Sequence, residues 1–106
     1  EASVVLKQIE GESQQLREAV WEDELTRLLA QVAKQRSDLI REGKSVAWKL
    51  AVAAGLKERT TVTNRWLSET LRMGNLHEVS RKVGVWSRAP DRLLAGKVGL
   101  TTSPMV

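Results

Sequence analysis

An all-α fold, in the form of a small helical bundle, is predicted by three features of the 106-residue chain. Apolar residues recur at helical spacing along most of its length. No alternating strand pattern of useful length and no internal repeat is present. The composition, 42% hydrophobic and 28% charged, is that of a chain that buries a core. Its length sets one domain as the expectation.

The first element is an amphipathic helix over 13–37. Trp21, Leu25, Leu28 and Val32 step by four, three and four, with Leu29 beside them, and so share one face. Glu22, Asp23 and Glu24 suit a helix N-terminus, so the helix either starts there or is continuous from Ser13. Residues 1–12 are expected to be a linker or frayed lead-in. The first residue is Glu rather than Met, which leads to the expectation of an excised fragment.

Arg41-Glu42-Gly43-Lys44 breaks the period, and Ser45 is a candidate N-cap for a second helix reaching Arg59. Ala47, Leu50, Ala51 and Ala54 form its expected inner face, with Trp48 and Val52 off it. Gly55 weakens this helix without breaking it. Thr60-Thr61-Val62-Thr63 then offers hydroxyl caps for a third helix, Asn64–Leu71. Arg72-Met73-Gly74-Asn75 makes a tight turn in which Gly74 takes positive φ and Asn75 caps a fourth helix, Leu76–Val83. Residues 87–106, with Pro90, Pro104 and a surplus of basic residues, read as a flexible basic tail in which 91–95 allows one helical turn.

Charge and residue types narrow the function. Residues 1–40 carry five basic and eight acidic side chains, a balance of −3, whereas 41–106 carry twelve and five, a balance of +7. A basic half suits a polyanionic partner, or it simply solvates a small helical domain. With no Cys, no Tyr and one His, the chain excludes disulfides, thiolate zinc sites, Ser/His or Cys/His pairs and tyrosine chemistry. A non-enzyme with no metal, cofactor or small-molecule substrate is therefore expected. The absence of a long apolar run and of thiols leads to a cytoplasmic protein without a membrane partner.

Two short helices joined by a glycine turn, at about 61–84 within a folded unit 13–86, match a helix-turn-helix, although an ordinary helical hairpin gives the same pattern. The second helix would be the reader. Asn75, His77, Ser80 and Arg81 are the candidates for base edges, and Lys57, Arg59, Thr61, Thr63, Arg65 and Lys82 for phosphates. The alternative is an interaction module that dimerises through the apolar face of helix 13–37 and binds no DNA.

Four further signals are weak. Glu22, Asp23 and Glu24 are adjacent and diverge on a helix, as do His77 and Glu78. Gly43-Lys44-Ser45 lacks the upstream glycine of a phosphate loop, Asp38 standing there. The four Trp residues either stack on bases or belong to the core.

The stretch Leu50-Ala51-Val52, Leu56 to Thr63, Trp66-Leu67-Ser68-Glu69, Leu71-Arg72-Met73-Gly74 and Val79-Ser80 resembles the C-terminal region of bacterial REP-associated tyrosine transposase-like proteins. The match covers roughly 44–83. It implies a helix-turn-helix of the Trp-repressor-like kind attached to a single-strand nuclease domain. That domain carries a His-hydrophobic-His motif and a catalytic tyrosine. Neither is present here, so only a DNA-binding role carries over. Asn75-Leu76-His77-Glu78 departs from the family's usual small or aromatic residues.

Overall fold

The computed structural model describes residues 2–100, with side chains from Gln15 onward. Six helices follow one another: α1 Ala2–Gln31, α2 Arg36–Arg41, α3 Ala47–Arg59, α4 Asn64–Thr70, α5 Leu76–Arg88 and α6 Arg92–Lys97. No strand occurs among the described residues, so the all-α expectation holds. None of these helices is long and apolar enough to cross a membrane.

The stretch expected to be a linker, residues 2–12, is instead the start of α1. This helix also stops earlier than its sequence pattern suggested. Ala33 takes a left-handed conformation (φ 59°), and the amide of Lys34 donates back to the Leu29 carbonyl at 2.9 Å, closing the helix end. Five residues later the chain has already turned into α2. Asp38 secures its start, accepting from the amide of Gln35 at 2.8 Å and pairing with Arg41.

At the centre of the bundle lies α3, against which α1, α5 and α6 pack. Its burial is nearly all-round: Trp48, Lys49 and every residue from Ala51 to Leu56 are buried. The inner face expected from sequence was therefore too narrow, because Trp48 and Val52 are core while Ala47 is exposed. Three neighbours cover the helix where one was foreseen. Gly55 permits the closest approach, since a Cβ there would lie 3.3 Å from Leu28 Cδ1 and 3.5 Å from Val98 Cβ. The apolar face of α1 (Trp21, Leu25, Leu28, Leu29, Val32) is spent on this same core.

Lys49 is the unexpected core residue, with no exposed surface. Its Nζ donates to the Leu39 carbonyl at 2.7 Å and the Glu42 carbonyl at 3.0 Å, satisfying the last carbonyls of α2. Burial lowers its pKa, which the nearby Glu42 carboxylate partly offsets.

The expected flexible tail is folded as far as residue 100. Helix α5 continues to Arg88, Asp91 caps α6 by accepting from the Leu94 amide at 3.0 Å, and Ala95 and Val98 are buried. Apolar contact with α3 orders a segment too short and irregular to show a period. The remainder of the expected tail, 101–106, lies outside the described residues.

A candidate nucleic-acid interface

Helix α5 buries one face and exposes the other. Val79, Val83 and Trp86 point inward and are buried. On the opposite side His77, Ser80, Arg81 and Arg88 are exposed and Gly84 is half-buried. Their spacing of i, i+3, i+4, i+7 and i+11 aligns them in one stripe about 16 Å long. No carboxylate falls on it. Neither Arg81 nor Arg88 has an ion pair or side-chain hydrogen bond among the described residues.

The lead-in to α5 is built by caps. Thr63 Oγ1 accepts from the Trp66 amide at 3.1 Å to start α4, whose buried Leu67 and Leu71 point into the core. Met73 is buried in the turn, Gly74 has φ +96°, and the Ser68 hydroxyl donates to the Gly74 carbonyl. Asn75 Oδ1 accepts from the Glu78 amide at 2.9 Å and so starts α5. Its side-chain oxygen is thus occupied, leaving the amide nitrogen as the part of Asn75 free to meet a ligand.

Grooves flank the stripe on both sides. One, of about 380 Å³, runs between α5 and the end of α3 and is lined by Lys57, Glu58, Ser80, Gly84 and Ser87. The other, of about 360 Å³, lies toward the start of α3, with Ser45, Leu50, Arg81, Val85 and Trp86 on its walls.

The phosphate candidates divide into two sets. Among the described residues, exposed Arg65 has no ion pair or side-chain hydrogen bond, and Lys57 donates to Asn64 Oδ1 at 2.9 Å at the surface. Thr61 is exposed and Thr63 is exposed but occupied as a cap. Arg59 and Lys82, by contrast, are committed within the chain. Arg59 pairs with Glu24 at 3.3 Å, with its guanidinium lodged against Gly99. Lys82 pairs with Glu78 at 3.0 Å and donates to Ser45 Oγ, tying α5 to the loop before α3. That Lys82 contact, followed by the field of Lys44, holds the Glu78 carboxyl below its ordinary value. The Glu78–Lys82 pair has the i,i+4 spacing of a helical ion pair, a signal the sequence carried, whereas spacing gives no sign of the Arg59–Glu24 and Lys82–Ser45 contacts, whose partners are distant along the chain.

The four Trp residues belong to the core rather than to a stacking surface. Trp21, Trp48 and Trp86 are buried. Half-buried Trp66 meets Trp21 edge to face, with centroids 5.6 Å apart. The Trp48 indole donates to Glu42 Oε1 at 2.8 Å. Among the described residues no three His, Asp or Glu side chains gather into a metal-binding group. Comparison of the chain with protein-family models, with curated proteins and with solved structures finds no match.

Proposed function

We propose that this chain is a DNA-binding module, without chemistry of its own, that reads duplex or hairpin DNA with α5 as the second helix of a helix-turn-helix. The observation that carries the reading is the stripe His77, Ser80, Arg81, Gly84 and Arg88, which holds two exposed guanidinium groups without an ion pair among the described residues, and no carboxylate. A major groove roughly 12 Å wide admits one helix, and His, Ser and Arg side chains at its centre are donors suited to base edges. Lys57 and Arg65 stand beside the stripe as phosphate contacts. The transposase-related resemblance over 44–83 and a bacterial cytoplasmic setting go with this role.

The competing dimerisation reading rests on the apolar face of α1, of which Trp21 to Val32 packs within the chain while Leu16 and Val20 remain exposed. Fluorescence anisotropy with labelled random duplex and hairpin DNA, across a salt series, tests the proposal. Binding whose log affinity falls steeply with log salt is expected. Absence of binding at low salt refutes it.

A further inference from the structure

We infer, resting on the DNA-binding reading, that Lys44 and Arg72 form a second phosphate grip on the flank of α5 opposite Lys57, so that α5 is held between both walls of a groove. Neither residue is among the phosphate contacts expected from the sequence.

Arg72 occupies the left-handed region (φ 57°), a conformation that glycine adopts freely and a side chain does not. Its charge also bears unfavourably on the buried ammonium of Lys49. It is exposed and has no ion pair or hydrogen bond among the described residues. Arginine here therefore opposes both the backbone and its cationic neighbour, with no compensating ion pair or hydrogen bond among the described residues. What it provides is an unpaired cation at the turn that starts α5.

Lys44 reaches the same turn. A Cβ on Gly74 would sit 3.3 Å from Lys44 Cδ and 3.7 Å from its Nζ, so the lysine stem lies against Gly74, two residues after Arg72. Glu78, whose carboxylate feels the field of Lys44, is paired with Lys82 at 3.0 Å. The Lys82 contact with Ser45 Oγ anchors the neighbouring residue of that loop to α5. Lys57 borders the other groove, on the side of Ser80, Gly84 and Ser87. Cations thus stand on both flanks of the exposed stripe, the placement required to meet the phosphates of both strands lining a groove.

The test uses the full chain and a labelled random-sequence duplex of about 20 base pairs, read by anisotropy across a salt series. Lys44→Ala and Arg72→Gly should each weaken binding about three- to tenfold at low salt, alike for all sequences. Each should lower the salt slope by about 0.9. Arg72→Gly should at the same time raise Tm by roughly a few degrees, separating lost contact from lost fold. Arg36→Ala, removing a cation paired with Glu22 on α1, should leave affinity within about twofold. If the parent chain binds and Arg65→Ala weakens it while Lys44→Ala and Arg72→Gly match the parent in affinity and slope, the second grip is overturned and the DNA-binding reading stands. Should Arg72→Gly lower Tm instead, Lys44→Ala decides by its slope alone. No binding by the parent chain at low salt overturns both.

Discussion

The two halves of this molecule treat charge in opposite ways. Around α1 and α2 the acids and bases are matched within the chain: Glu22 with Arg36 at 2.7 Å, Glu24 with Arg27 and Arg59, Asp38 with Arg41, and Glu42 with Lys34 at 2.9 Å. Around α4 and α5 one pair, Glu78 with Lys82, closes a structural contact. Lys44, Arg65, Arg72, Arg81 and Arg88 have no ion pair among the described residues. A paired cation is already neutralised and gains little from an external anion. An unpaired one keeps its field for a partner. The same number of positive charges in a sequence can thus mean scaffold or interface, depending on what each folds against.

The contrast can be broken most severely at its scaffold. Leu25→Ala removes a fully buried side chain from the α1 face and should cost about 3 kcal/mol in a urea melt. Its Tm should not depend on protein concentration, as it would if that face joined two subunits. Next in size, Arg81→Ala should lose about 1 to 3 kcal/mol of binding at a preferred sequence and much less on random DNA. Arg65→Ala should weaken all sequences alike and flatten the salt dependence by about 0.9. Equal effects at the two arginines would remove the distinction between reader and clamp.

Acid titration probes the matched half. Arg27 beside Glu24, the Gln35 amide and Arg41 beside Asp38, and the Trp48 indole with Lys34 beside Glu42 hold these carboxyls below their ordinary values of 4.5, 3.8 and 4.5. A depressed folded-state pKa stabilises the fold above the ordinary value, and that stability is lost as pH falls through the folded value. The urea midpoint should therefore decline below about pH 4, and Asp38→Asn should make that decline shallower. The smallest effect belongs to Glu24→Gln, which releases Arg27 and Arg59 from their shared carboxylate. It should cost no more than about 1 kcal/mol, and DNA affinity should rise by less than about twofold.

Much of the architecture was legible where local signals agreed. Thr63 and Asn75 are capping types followed by helical residues, and both accept the predicted amide bonds. Gly74 marks the turn, and Leu67, Leu71, Met73, Val79 and Val83 are buried as their spacing required. Helices α3, α4 and α5 accordingly begin within two residues of their expected starts. Failures came where a short segment lacks a period of its own. Six-residue α2 shows a single buried apolar side chain, Leu39, and is completed by Lys49 from another helix. The other six-residue helix, α6, depends on Ala95 and its neighbour Val98 reaching the α3 side of the core. Of the candidate site, His77, Ser80 and Arg81 proved exposed on one stripe, whereas Arg59 and Lys82 did not remain free.

By itself, the sequence determined the helical class, the caps and turn around α4 and α5, and the residue types that leave no thiol or tyrosine chemistry. These depend on neighbours within about four positions, the range over which helical period and capping act. Only the tertiary structure decided that α3 is enclosed on three sides, that Lys49 lies in the core, and that Arg59 is neutralised by Glu24. Each of those outcomes depends on groups not neighbouring in the chain, as does the tie between Lys82 and Ser45. Burial and long-range pairing are settled by distance in space, on which spacing along the chain is silent.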